Sequence, residues 1–294
     1  MSKIIEGSIV ALITPMTADK SIDYQALTRL IEHHISSGTD AIVSVGTTGE
    51  SATLNVDEHL QIVEHTVKCV NGRIPVIAGT GANSTREAIH LTRQAHSLNA
   101  DAVLLVVPYY NKPGQEGMYQ HFKAIADAVA IPQYLYNVPG RTVADMSNST
   151  IARLADIDNI LGCKDATGDL QRGKELIDLC GDRLSILSGD DATALDLIKL
   201  GGRGDVSVTA NVAPKLMHDM CAAALRGDFE TADALDLKLQ GLHRDLFVES
   251  NPIPVKYAVS KLGFGANVLR LPLTKLAVEN QSFIDAAMSK AELC

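Results

Sequence analysis

The chain has 294 residues, 46% of them hydrophobic and 21% charged, a balance that suits one large globular domain or two ordinary ones. Formal net charge is −9, from 26 basic and 35 acidic residues, and no basic cluster stands out, which argues against nucleic acid and anionic membranes as partners. The longest uninterrupted aliphatic run, Ala102 to Val107, is far too short to span a bilayer, and the Met1–Gly7 segment lacks an apolar core of signal-peptide length, so a cytoplasmic location is expected.

Short β-rich runs alternate with longer stretches of helical periodicity. The expected strands are Ile9–Ile13, Ala41–Val45, Val76–Ala78, Val103–Val107, Gln133–Tyr136, Ile160–Cys163, Leu184–Leu187 and Val206–Val208. Between them apolar residues recur at three- and four-residue spacing, as in Leu27, Leu30, Ile31, His34 and Ile35, or Ile62, Val63, Thr66, Val67 and Val70. Helix starts carry caps: Asp23 before Tyr24, Asn55 with Glu58, and Ser84 with Glu87, the last two reading as capping boxes. Eight strand–helix units predict an α/β fold, a (β/α)8 TIM barrel. The main alternative, a doubly wound sheet, usually needs a Gly-rich turn after the first strand, where this chain has Thr14-Pro15-Met16-Thr17.

After Arg226 the strand signal stops. Asp228–Val248, Val255–Leu262 and Leu273–Lys290 read as helices, with Asn251-Pro252-Ile253-Pro254 as a rigid extended joint. The expected division is therefore a catalytic barrel over residues 1–226 and a C-terminal helical domain over 227–294.

In such barrels chemistry sits at the C-terminal strand ends. Lys164 stands where Ile160–Cys163 meets Asp165-Ala166-Thr167-Gly168. A lysine there is costly unless paired, solvated or used. Desolvation lowers a lysine below its free value of about 10.4 and frees the amine to attack a carbonyl. The plainer reading is a lysine whose head reaches water along its own stem. Strand two ends in Gly46-Thr47-Thr48-Gly49-Glu50-Ser51, whose hydroxyls and backbone N–H groups suit a small carboxylate. Strand four ends in Pro108-Tyr109-Tyr110, and strand five in Tyr136-Asn137-Val138-Pro139-Gly140-Arg141-Thr142. A strand-end phenol can relay a proton, and Arg141 can clamp a carboxylate.

Other chemistries find no footing. The five cysteines, Cys69, Cys163, Cys180, Cys221 and Cys294, form no CxxC pair and suit a reducing cytosol. The nine histidines form no HExxH motif and no convincing ligand set, so no metal is expected. Gly79-Thr80-Gly81-Ala82-Asn83-Ser84 starts like a dinucleotide fingerprint but has Ser84 where a third glycine belongs. No nucleophile elbow and no P-loop occur.

Taken in order, Gly46-Thr47-Thr48-Gly49-Glu50, Tyr136 to Thr142, Lys164-Asp165 and Asn251-Pro252-Ile253-Pro254-Val255-Lys256 resemble the dihydrodipicolinate synthase family, within the pyruvate-dependent class I aldolase superfamily. The resemblance implies a barrel with C-terminal helices, in a homotetramer built as a dimer of dimers. It implies condensation of pyruvate with L-aspartate 4-semialdehyde in the diaminopimelate route to lysine, with no cofactor. It implies that Lys164 forms the Schiff base and that Tyr136, Thr47 and Tyr110 relay protons, Tyr110 reaching in from a neighbouring subunit. Thr48 would bind the pyruvate carboxylate, Arg141 that of the semialdehyde, and Gly189 and Val206 would line the pocket. A lysine effector would meet Ser51, Ala52, His59, Asn83, Glu87 and Tyr109, with Asn83 and Glu87 sharing a helix face. Val56, where lysine-sensitive members often carry histidine, is a departure. So is Asp205, where a small or apolar residue is expected. N-acetylneuraminate lyase or a keto-deoxy sugar acid aldolase of the same superfamily would keep Lys164 and Tyr136, but Arg141 and Thr47-Thr48 suit the synthase better. A keto-acid-binding regulator without activity would be marked by loss of Lys164 or Tyr136, and both are present.

Overall fold

The structure, a computed structural model, describes residues 4–293. Met1–Lys3, part of the N-terminal segment read above, and Cys294 lie outside them. Eight parallel strands close into a barrel: β1 (Gly7–Ala11), β2 (Ala41–Ser44), β3 (Val76–Gly79), β4 (Ala102–Val106), β5 (Gln133–Asn137), β6 (Ile160–Asp165), β7 (Ser185–Ser188) and β8 (Gly204–Ser207). Each pairs with its neighbours in sequence, and β1 pairs with β8 to complete the ring. The strands read as near-continuous apolar runs because both their faces are covered.

Helices α1 (Tyr24–Ser36), α2 (Val56–Val70), α3 (Thr85–Ser97) and α4 (Gln115–Ala128) follow the first four strands. After β5 come a single turn, α5 (Pro139–Thr142), and then α6 (Asn148–Leu154). Helices α7 (Leu170–Cys180), α8 (Ala194–Lys199) and α9 (Pro214–Leu225) complete the eight units. Three more helices, α10 (Phe229–Asp245), α11 (Ile253–Lys261) and α12 (Val278–Lys290), follow, and α10 packs on α9 and α12.

Two apolar cores result. One fills the barrel and includes Ile9, Val43, Ile77, Leu104, Tyr134, Leu187 and Val206. The other lies between strands and helices and includes Val10, Ile42, Leu105, Leu135 and Ile186. Tyr134 is the largest fully buried side chain, and its hydroxyl accepts from the Ile5 N–H at 2.9 Å. Gly162 makes room for that ring, since a Cβ there would lie 2.4 Å from Tyr134 Cδ1.

Some local expectations need correction. β1 is displaced two residues toward the N-terminus of Ile9–Ile13. Leu12 and Ile13 are buried beyond the strand, with the Ile13 N–H held by Asn211 Oδ1 at 2.9 Å. Asn55 and Glu58 form a reciprocal capping box, but at α3 only Ser84 accepts from Glu87 N and the return bond is missing. The expected proline joint instead opens α11, with Ile253 and Pro254 already helical, since the first turn needs no N–H donor. The last helix begins at Val278, five residues later than Leu273, because Glu249 Oε1 takes the Ala277 N–H and holds that stretch out of the helix.

Candidate active site

Parallel pairing sets Tyr136 of β5 directly beside Lys164 of β6. Both side chains point inward near the C-terminal strand ends. Lys164 is 5% exposed, and its Nζ lies 4.3 Å from the centre of the Tyr136 ring. Among the described residues no carboxylate lies within ion-pair distance of that nitrogen. A buried lysine with no carboxylate partner, its amine against an aromatic face, is a candidate for chemistry and not for structural pairing. Gly189, at the end of β7, gives the lysine stem its space. A Cβ there would sit 2.6 Å from Lys164 Cε and 2.8 Å from Ala166 Cβ.

These groups open into a cavity of ≈ 210 Å³ whose wall also carries Thr47, Thr48, Arg141, Val208, Phe247 and Asn251. The turn after β2 is fixed by its own bonds: the N–H groups of Gly49 and Ser51 go to Gly46 O, and that of Glu50 to Thr47 O. Those three donors are therefore spent, and the expected anion cradle shrinks to Thr47 and Thr48. Their N–H groups meet no protein acceptor among the described residues. Val45 and Glu50, on either side of the turn, hold left-handed φ values of 52° and 58°. Such angles are costly for residues with a Cβ, most of all for a β-branched one.

Contacts with the C-terminal segment offset that strain. The Lys256 ammonium pairs with Glu50 Oε1, and both side chains are wholly buried. The other oxygen, Oε2, accepts from Arg270 N at 3.1 Å. Burial pulls the Lys256 amine down, with Glu50 opposing. Asn251 Nδ2 donates to Thr48 Oγ1 at 3.0 Å, and Arg141 Nη2 donates to Asn251 O at 3.3 Å. Arg141 itself is exposed on α5 and lines the cavity.

Two expected site residues are not brought in. Val206 packs deeper in the barrel core, and Val208, two residues on and just past β8, lines the cavity in its place. Tyr110 is 89% exposed at φ 71° and touches no part of the cavity of its own chain.

A second cavity of ≈ 470 Å³ adjoins the first through Thr47, Val138, Arg141 and Asn251. Its wall holds Ser51, Ala52, Val56, His59, Glu87 and Tyr109. Burial keeps the His59 imidazole low, and its Nε2 meets Gly79 O at 2.8 Å as a neutral donor. Burial first, then Glu87, raises the Tyr109 phenol. Asn83 is not on this wall. It precedes α3, so the helix face it was expected to share with Glu87 does not exist, and its carbonyl takes Asn111 Nδ2 at 2.9 Å.

Asp205 is wholly buried on β8, and both its oxygens lack a hydrogen-bond partner. Burial, then neighbouring Asp191, pushes its carboxyl well above the usual range. Among the described residues no three His, Cys, Asp or Glu side chains converge in a way that could hold a metal ion. No helix among them is long and apolar enough to cross a membrane.

Residues 4–291 match the family model described as the dihydrodipicolinate synthetase family. A 4-hydroxy-tetrahydrodipicolinate synthase of Thioalkalivibrio sulfidiphilus is 58% identical over 285 residues, 97% of either chain. One from Pseudomonas aeruginosa is 60% identical over 273 residues, covering 93% of this chain and 94% of its own. Among solved structures, the chloride-inhibited dihydrodipicolinate synthase of Acinetobacter baumannii complexed with pyruvate superposes with TM-score 0.98 at 54% identity, over 99% of this chain and 100% of that one. The enzyme of Cyanidioschyzon merolae with lysine bound gives 0.96 at 38% identity, again over 99% and 100%.

Proposed function

The chain belongs to the dihydrodipicolinate synthetase family, and from that premise we propose that Lys164 is the amine on which its reaction turns. The reaction is the condensation of pyruvate with L-aspartate 4-semialdehyde to 4-hydroxy-tetrahydrodipicolinate, a lyase reaction of the class I aldolase type in the diaminopimelate route of lysine biosynthesis. The observation that carries the assignment of Lys164 is its burial against Tyr136, with no carboxylate partner and with Gly189 clearing its stem.

Neutral Lys164 attacks the C2 carbonyl of pyruvate, and the carbinolamine loses water to give a protonated imine. Loss of a C3 proton leaves an enamine, with the iminium as electron sink. The enamine carbon attacks the aldehyde. The amine of the new adduct then attacks C2, displaces Lys164 and closes the ring. Each step moves a proton, which is the task we assign to the hydroxyls of Tyr136 and Thr47 on the cavity wall. Thr48 holds the pyruvate carboxylate, helped by the uncommitted N–H groups of the same turn. Arg141 at the mouth takes the carboxylate of the semialdehyde.

Tyr110 joins the relay only if it enters a neighbour's cavity, and its 89% exposure suits that role. Exposed Tyr109, Val143 and Leu271 also suit burial between copies in a homotetramer built as a dimer of dimers. The larger cavity is our candidate for a lysine effector, with Glu87 facing its ammonium and Val56 weakening the site. We divide the chain into a barrel, residues 1–226, and a helical part, 227–294, and we place the enzyme in the cytoplasm, where its described cysteines remain free thiols.

Borohydride reduction in the presence of pyruvate tests the central assignment. Lys164→Ala should abolish the covalent adduct seen by mass spectrometry. An adduct that persists in this variant refutes the role of Lys164.

A further inference from the structure

A hydroxyl that binds an anion must have its proton free to donate. Thr48 Oγ1 can either give its proton to a protein acceptor or receive a bond from a protein donor. The structure shows the second arrangement, with Asn251 Nδ2 donating to it at 3.0 Å. Thr48 is 2% exposed, and no protein acceptor competes for its proton among the described residues. The buried Asn251 Oδ1 has no partner, so the side-chain amide is fixed by what it donates.

Asn251 is not free to drift. Its carbonyl holds Arg141 Nη2 at 3.3 Å. A few residues on, Lys256 is locked to Glu50 in the same turn that carries Thr48. One residue of the C-terminal segment thus touches both groups assigned to the two substrate carboxylates, by its side chain on Thr48 and by its main chain on Arg141.

We propose that Asn251 is a positioning residue for pyruvate: its amide donates to Thr48 Oγ1 and so commits the Thr48 proton to the carboxylate of the keto acid. This rests on the role given to Thr48 above. The effect is selective. Removing the side chain loosens pyruvate and leaves the Arg141 partner, a main-chain carbonyl, in place.

The test is kinetic, on the full-length enzyme, with Thr48→Val, Asn251→Ala, Asn251→Asp and the double variant Asn251→Ala/Thr48→Val. Pyruvate and semialdehyde are varied in turn, and half-saturation by pyruvate is also read from borohydride trapping. In Asn251→Ala the pyruvate KM should rise about five- to tenfold, the loss of one buried hydrogen bond, while the semialdehyde KM stays within about twofold. Asn251→Asp should be worse, because its carboxylate takes the Thr48 proton and repels the anion. The double variant should be no worse than Thr48→Val alone. A general loosening of the fold would move both KM values together, and that result overturns the proposal. So does a wild-type pyruvate KM in Asn251→Asp, which would mean the amide accepts from Thr48. If Thr48→Val leaves the pyruvate KM unchanged, the role of Thr48 falls and takes the proposal with it. If Thr48→Val raises it and Asn251→Ala does not, the proposal alone falls. Should the alanine variant fail to fold, Asn251→Ser keeps a polar group too short to span the gap and should show the same selective rise.

Discussion

Gly189→Ala tests whether the lysine stem is held where the chemistry needs it. The added methyl would lie 2.6 Å from Lys164 Cε, 2.9 Å from Lys164 Cγ and 2.8 Å from Ala166 Cβ. Ordinary carbon contacts lie at about 3.5–4.0 Å, so the stem must yield by about 1 Å. The stem cannot escape cheaply, because its Cγ is crowded as well as its far end and β6 is paired on both sides. A misplacement of about 1 Å at a reacting group costs roughly a hundredfold in rate. Overpacking of this kind costs about 1–3 kcal/mol of stability, which leaves the protein folded at assay temperature. The assay is the first-order rate of borohydride trapping at saturating pyruvate, beside the turnover rate, with circular dichroism and the thermal midpoint as checks on folding. Both rates should fall by about two orders of magnitude. Gly114→Ala, where an added Cβ meets nothing within 4 Å, should behave as wild type. Trapping in Gly189→Ala within about threefold of wild type would refute the idea that this glycine positions Lys164.

Lys256→Met leaves the wholly buried Glu50 carboxylate with only the Arg270 N–H, and breaking such a pair costs about 3–5 kcal/mol. At fixed protein concentration its thermal midpoint should drop well below wild type, and Glu50→Gln/Lys256→Met should recover part of the loss; a double variant as unstable as the single one would show that the unpaired buried charge is not the cause. For Asp205 the folded carboxyl titrates well above the unfolded value of about 3.9, so the folded state holds the extra proton between the two values. Its contribution is then favourable at low pH and is lost as pH rises above about 4, the reverse of an ion-paired aspartate. Asp205→Asn should be more stable than wild type at neutral pH by about 1–3 kcal/mol and should flatten that decline in urea midpoints between acid and neutral pH; a variant that keeps the wild-type slope counts against the burial argument.

The barrel was legible because its strands are short, β-branched and buried on both faces, which leaves a nearly unbroken apolar signal. Their ends were less so. Leu12 and Ile13 are as apolar as Val10, yet pairing runs out there: the Leu12 N–H still reaches Val43 O of β2, while the Ile13 N–H turns to the side chain of Asn211. Lys164, Tyr136, Thr47, Thr48 and Arg141 could be picked out because reactive side chains at strand ends of a barrel converge on one mouth. Val206 failed by a register argument: one step along β8 reverses the face, and two steps change the depth. Asn251 was visible only as the start of a proline-rich joint. Its bond to Thr48 spans 203 positions of sequence, as the Glu50–Lys256 pair spans 206, and no local pattern announces such a meeting. Asp205 stood out as unexpected, and its burial without partners gives that impression a physical form.

The late segment that walls the cavity has a consequence for the order in which the enzyme is made. Phe247, Asn251 and Lys256 meet the barrel mouth from one stretch of chain, and Arg270 reaches from farther on to Lys20 O, Thr53 O and the Glu58 carboxylate. Synthesis runs from the N-terminus, and early segments fold first. A growing chain therefore owns Lys164, Thr48 and Arg141 before it owns Asn251, which bonds the last two, and Lys256, which pairs with Glu50 in the same turn as Thr48. Translation itself acts as a timer: a chain that ends after the eighth strand carries Lys164 and Thr48 but not the amide that donates to Thr48 Oγ1. Premature termination before Asn251 should thus yield a product whose Thr48 and Arg141 lack their braces from the C-terminal segment.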